Sequence, residues 1–305
     1  MTLEESKILF KNTIKSVEIG LHNYCNRTCD YCPLSRIDVN RNDSRMVKYM
    51  SDDIFFNILE DLKSIDFDGV INLSRYFEPL SEKDYIIKRV RQMKEYLPDS
   101  TIRLNTNCDY LNRRYLDELL DAGVDSFSLQ AYLKNGSTEF NKDEMIKRMN
   151  IILRKIKIDK VITEEEYDIL AEKNKNYIRY KIPELKSTIY AQNFWEIGVN
   201  RAGSITSTPG AEIEYKRTDP CTKFDSGIYV DYDGSMTICC DMLAPEIHRD
   251  WIVGDLRKEP NLFLNYGSDY YQGFKKEVNT ANFREGSPCI TCRRNVSHKT
   301  TGPLK

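Results

Sequence analysis

Seven of the nine cysteines in this 305-residue chain fall into two patterns. The first is a triplet in YCNRTCDYC, at Cys25, Cys29 and Cys32. The second is C-terminal: Cys221, then Gly234 and Cys239, then Cys289-Ile-Thr-Cys292. Thiolates bind soft metal ions, and structural zinc sites favour paired C-x-x-C knuckles that close a set of four ligands. The triplet is one thiol short of such a set. Three thiolates can instead hold three irons of a cubane cluster and leave the fourth iron open to an outside ligand. Cys108 and Cys240 are left over. Their plain reading is as small buried residues. The functional alternative is a thiol whose weak S–H bond returns a hydrogen atom to a carbon radical.

Regular elements must hold these thiols in place, and the first half of the chain supplies an alternating series. SVEIGLH (16–22) reads as a strand and leads straight into the triplet. DDIFFNILEDLKS (52–64) has helical apolar spacing, with Ser51 placed to cap it. Strands are expected at 69–74, 101–107 and 124–133, and helices at 83–97, 113–123 and 142–155, the second of these ending at Gly123. Repeated strand–helix units predict a parallel sheet with helices outside it, open or curved toward a barrel. The working face of such a sheet lies at the C-terminal ends of its strands. Three distinctive stretches stand there: the triplet, RYFEPL (75–80) and TNCDYL (106–111).

Residues 157–186 are highly charged, and TEEEYDILAEKNKNYIRY within them reads as an outer helix. TIYAQNFWEIGV (188–199) returns to strand character, and NRAGSITSTPG (200–210) reads as a linker. GIYVDYDGSMTICC (227–240) then reads as a hairpin about Asp233-Gly234, with a helix near 270–278. The residues before strand one read as a short charged lead-in.

Lys and Arg total 45 against 47 Asp and Glu, so no global basic field exists to hold nucleic acid or an anionic membrane. No apolar run reaches the ~20 residues that span a bilayer, and the N-terminus lacks the order of a secretory signal. The expected location is the cytoplasm, where nine cysteines point to metal or redox chemistry rather than disulfides.

The triplet, with Tyr31 just before its third cysteine, resembles the signature of the radical SAM superfamily. That resemblance covers most of the chain and implies an α/β fold. Its core is a partial (β/α)6 TIM-like barrel over 1–200, where Cys25, Cys29 and Cys32 hold a [4Fe-4S] cluster. The open iron binds S-adenosylmethionine (SAM), which is cleaved to a 5'-deoxyadenosyl radical. Glu78 and Pro79 resemble the family's Gly-Gly-Glu-Pro stretch, which contacts the methionine amino group largely through backbone carbonyls. Here Tyr76 and Phe77 replace the glycines. Thr106 and Asn107 resemble its Thr-Asn-Gly, with Cys108 in the glycine position. Ser128 and Gln130 sit where members contact the ribose or carboxylate of the cofactor.

The C-terminal pattern resembles a SPASM/twitch extension, here over 201–305 as a β-hairpin plus helix. No cysteine follows Cys292, so the shorter twitch type fits. It implies an auxiliary [4Fe-4S] cluster on Cys221, Cys239, Cys289 and Cys292, with a four-thiolate zinc site as the alternative.

Together these features lead to an expected radical enzyme that abstracts hydrogen from a C–H bond of a small polar substrate, aminosugar- or cyclitol-like. The short lead-in leaves no room for a leader-binding domain, although a peptide substrate stays open. The spare Cys240 favours epimerisation, with Cys240 or Cys108 as hydrogen donor. Dehydrogenation of an alcohol through the auxiliary cluster is the alternative, and a non-catalytic electron carrier or zinc-stabilised binding protein is the non-enzymatic one. A flavodoxin- or ferredoxin-type reductant is the expected partner. His22, His248 and His298 are scattered and read as packed or exposed, and Arg75 and Arg201 as structural arginines that could otherwise meet a carboxylate.

Overall fold

The computed structural model describes residues 1–37, 46–133, 141–173, 177–192, 200–205, 215–222 and 224–293. Helix α1 (Leu3–Thr13) comes first, where the sequence reading had only a lead-in. A capping box explains it: Thr2 Oγ1 accepts from the Glu5 N–H, and the Glu5 carboxylate accepts from the Thr2 N–H. There follow β1 (Ser16–Ile19), α2 (Asp52–Lys63), β2 (Val70–Leu73), α3 (Lys83–Tyr96), β3 (Thr101–Thr106), α4 (Arg113–Ala122), β4 (Ser126–Gln130) and α5 (Lys142–Lys155). This is the alternation expected from the hydrophobic pattern, with Ser51, Asn112 and Asn141 capping three of the helices through their side chains.

Helix α6 (Glu164–Lys173) is shorter than expected. The second half of that segment turns into β5 (Tyr177–Ile182), which pairs antiparallel with β6 (Ser187–Gln192). Alternating Ile178, Tyr180 and Ile182 suit a strand, and the charged lead-in hid that alternation. The rest of the expected strand at 188–199 lies outside the described residues. The C-terminal part gives β7 (Gly227–Val230), β8 (Ser235–Thr237), β9 (Gly254–Asp255), α7 (Leu262–Tyr266) and α8 (Asp269–Asn279).

The nine strands of the described residues form one sheet in the order β5-β6-β4-β3-β2-β1-β7-β8-β9. The six from β6 to β7 are mutually parallel. Among the described residues the sheet is open: its edge strands β5 and β9 do not pair with each other. The sixth parallel strand is β7, the first arm of the C-terminal hairpin, in register with β1 from Ser16–Gly227 to Ile19–Val230. The core runs continuously from α1 through the sheet to α8. No described helix is long and apolar enough to cross a membrane.

Candidate active site

The C-terminal ends of β1 to β4 surround a cavity of about 280 Å³. Its wall includes Cys25, Cys29 and Cys32, Glu78, Thr106 and Asn107, Gln130, and from the C-terminal part Arg201 and Cys240.

The cysteine loop is anchored from within. Arg27, between the first two thiols, donates to both carboxylate oxygens of Asp109 at 2.6 and 2.7 Å, and to the Leu133 carbonyl at 2.7 Å. Asn26 and Arg148 donate to the same carboxylate, at 2.8 and 2.7 Å. Burial works against ionising Asp109, but these partners outweigh it and hold the carboxyl below its ordinary range. Asn107 Nδ2 donates to the Asn26 side chain at 2.9 Å, which ties the loop after β3 to the cysteine loop. Sequence reasoning missed Arg27, Asp109 and Arg148, because the chain offers no local signal that a charge on one loop will meet one on another.

Glu78 is buried and uses both carboxylate oxygens. Oε1 accepts from Thr106 Oγ1 at 2.6 Å and from the Leu80 N–H at 3.1 Å, and Oε2 accepts from the Asn107 N–H at 2.8 Å. Burial nevertheless pushes its pKa up to about 7. Pro79 follows in a 3-10 turn and does not reach the wall. Tyr76 and Phe77 have ordinary negative φ, so the backbone here does not require the glycines they replace. Phe77 packs edge-on against His22, ring centres 4.6 Å apart. His22 is buried, accepts from the Tyr24 N–H at Nδ1, and is held neutral by desolvation, with its pKa lowered to about 3.

Cys108 does occupy a glycine-like position, at φ 63°. It is 1% exposed, its thiol lies 3.5 Å from the Thr106 carbonyl, and it does not line the cavity. Gln130 lines the wall; Ser128 does not, but accepts from the Gln130 amide at 2.8 Å. Tyr31 is buried and packs against Tyr132, ring centres 5.5 Å apart.

On the opposite wall, buried Arg75 makes a bidentate pair with Asp231, at 2.8 and 2.9 Å. Its Nη2 also donates to the Met242 carbonyl at 2.7 Å, and the Ala244 N–H donates to Asp231 at 2.9 Å. These bonds clamp the loop that carries Cys239, Cys240 and Asp241. Asp241 in turn accepts from Arg201 at 2.7 Å. His248 is buried with both ring nitrogens engaged, by the Leu243 N–H and the Ala202 carbonyl. His298 lies outside the described residues.

Burial pushes Cys25 well above the ordinary thiol range and Cys29 up to about 12, and Cys32 adds to both shifts. Neighbouring thiols that resist ionisation suit a cationic iron cluster, whose charge would hold them as thiolates. Two of the C-terminal four, Cys239 and Cys289, are shifted in the same direction. Burial raises Cys239, with Cys289 and Cys292 among the further causes, and raises Cys289 to about 12, with Cys292 and Cys221 contributing. Among the described residues no group of three or more His, Cys, Asp or Glu is arranged to hold a single metal ion.

Residues 19–150 match the family model of the radical SAM superfamily, so the chain carries a radical SAM domain. That domain implies a [4Fe-4S] cluster and S-adenosylmethionine, and the cavity's three thiols are the residues that fit the cluster. Among curated proteins, the chain is 32% identical over 114 residues to an S-adenosyl-L-methionine-dependent 2-deoxy-scyllo-inosamine dehydrogenase of Niallia circulans. The matched stretch covers 36% of this chain and 42% of that protein. Among solved structures, the fold resembles BtrN in complex with AdoMet and 2-DOIA, with a TM-score of 0.60 and 19% identity over 91% of this chain and 92% of that one. It also resembles BtrN in an open conformation, with a TM-score of 0.57 and 17% identity over 92% of each chain.

Proposed function

We propose that this chain is a radical SAM dehydrogenase that oxidises a secondary alcohol of a small aminocyclitol- or aminosugar-like molecule. One observation carries the reading: the cysteine triplet, the Glu78–Asn107 pair and Cys240 beside the C-terminal thiols all line or border one small cavity. The cofactors, when bound, supply a hydrogen-atom acceptor and an electron acceptor, which with loss of the hydroxyl proton turn an alcohol into a carbonyl. The chain's residues bind and orient. Cys25, Cys29 and Cys32 would hold one cluster, and Cys221, Cys239, Cys289 and Cys292 an auxiliary one. Glu78, fixed by three donors, presents an ordered backbone to the methionine amino group. Gln130, steadied by Ser128, is placed for the polar end of the cofactor. Arg27 and Asp109 keep the cysteine loop rigid, so the reactive atoms are held in orientation.

Epimerisation, favoured by the spare cysteine in the sequence, finds no support in the comparisons. The dehydrogenase relative supports the alternative instead, and Cys108 is sealed away from the cavity. A flavodoxin- or ferredoxin-type protein is the proposed reductant.

Anaerobically reconstituted protein is expected to carry about eight irons and eight sulfides. Dithionite should release 5'-deoxyadenosine from SAM, and 2-deoxy-scyllo-inosamine should yield a ketone. About four irons would remove the auxiliary cluster and the dehydrogenase reading with it. In deuterated water, Cys240→Ala should still form ketone. Deuterium entering a substrate carbon of the wild type, and lost in that variant, would restore the epimerase.

A further inference from the structure

Asp109 holds two arginines where one would fix it. Arg27 already takes both carboxylate oxygens, and Asn26 adds a third bond. Arg148 nevertheless reaches in from α5 with its side chain only 19% exposed. Its Nη2 donates to the same carboxylate at 2.7 Å and to the Asn107 carbonyl at 2.9 Å. Neither contact gives Arg148 an anion of its own, and its Nε is buried without a hydrogen-bond partner. Burying a cation that must share its counter-ion is costly, so anchoring the loop does not account for it. The triad of Arg27, Asp109 and Arg148 carries a net positive charge. Lys155, two turns on along α5, adds an exposed cation, its Nζ 3.0 Å from the Asp109 carbonyl. Glu78 is the other carboxylate on this side, and with its pKa at about 7 it is about half ionised at neutral pH. Asp30 and Arg36, of opposite sign, are both exposed to water. Across the cavity Arg75 and Arg201 face Glu18, Asp231 and Asp241, so the surplus of cations belongs to the cysteine-loop side alone.

What that charge faces gives its use. Arg27 stands between two of the three thiols and lines the cavity with them. An iron–sulfur core is cationic, but with three thiolates the whole assembly is anionic. The one electron it takes from a flavodoxin- or ferredoxin-type donor makes it more so. Low dielectric opposes that added charge in a buried site, and a nearby cation offsets it. Net charge and groups behind the ligands set the potentials of such clusters. We propose that Arg148 is a positioning residue that acts through Asp109 and Arg27 to set the reduction potential of the N-terminal cluster. The second arginine turns a neutral ion pair into a cationic one and makes the cluster easier to reduce. This role rests on the reading of Cys25, Cys29 and Cys32 as cluster ligands.

The test is a redox titration of the reconstituted holoprotein, followed by electron paramagnetic resonance in the absence of SAM. The N-terminal cluster's signal is the one that changes when SAM is then added. Arg148→Met should move that cluster's midpoint potential to more negative values by about 59 mV or more, a tenfold shift of a one-electron equilibrium. Asp109→Asn, which removes the anion instead, should move it the other way. Arg148→Lys keeps the charge and should stay near the wild type. The auxiliary cluster's potential is the internal reference and should not move. A loop that had merely loosened would shift Arg148→Met and Asp109→Asn alike. That result, or an unmoved potential in Arg148→Met, overturns the proposal. A wild type with no signal that responds to SAM would sink the radical reading and this role together, whereas such a signal with unmoved potentials would sink only this role.

Discussion

Glu78 is pulled two ways. Burial favours its protonated form, while Thr106, Leu80 and Asn107 donate hydrogen bonds that favour the anion. Its folded pKa of about 7 stands above the ordinary 4.5, so the folded state keeps the proton longer than the unfolded state does. Stability of the metal-free chain should therefore fall as pH rises from about 4.5 to about 7, by an amount on the order of 3 kcal/mol, and level off above that. Urea unfolding of wild type and Glu78→Gln across that range checks it, since the variant should lack this part of the slope. Arg75 is the other pivotal side chain. Arg75→Met strands Asp231 as a buried lone charge and should cost about 3–5 kcal/mol in the same assay. The cysteine triplet, Glu78 and the Thr106–Asn107 pair, which the structure brings to one cavity, were legible because their types and spacing are local. The Arg75–Asp231 pair was not, since such charges meet only after distant segments converge.

Elements were read where periodicity was clean and missed where charge masked it. Strands β1 to β4 and helices α2 to α5 follow their hydrophobic patterns closely. The first helix was hidden by its charged surface, and its role appears only in packing. Phe10 is fully buried, edge-on to Phe263 and Tyr266 of α7 at 5.1 and 5.3 Å. The contact is close enough that a Cβ added at Gly267 would lie 1.9 Å from Ser6 Oγ. Gly267→Ala should thus lose about 1–3 kcal/mol by overpacking. Gly273→Ala, where nothing lies within 4 Å, should lose none and serves as the control in thermal melts. Strand β5 shows the opposite error, a period-two run attached to a helical acidic one and read as its continuation.

At the scale of the molecule, the sheet crosses the boundary that composition suggested near residue 200. The hairpin's first arm is the lateral neighbour of β1, so removing it would bare a parallel strand edge next to the cysteine loop. A chain ending at residue 200 should be insoluble or aggregated on size-exclusion chromatography, while the full chain elutes as a defined species. Helix α8 and the clamp from Arg75 to the Cys239 loop add to the same dependence.

The pairing of β1 with β7 also imposes a schedule on the chain's synthesis. The first of these strands leaves the ribosome roughly 200 residues before its neighbour, from Ser16 to Gly227. At ~5–20 residues per second, that edge waits about 10–40 s before its partner exists. Through that interval the three N-terminal thiols border a half-built sheet, open to oxidation and to stray metal. Iron delivery that waits for the finished chain, or a chaperone that covers the edge until then, would raise the yield of active protein made in cells.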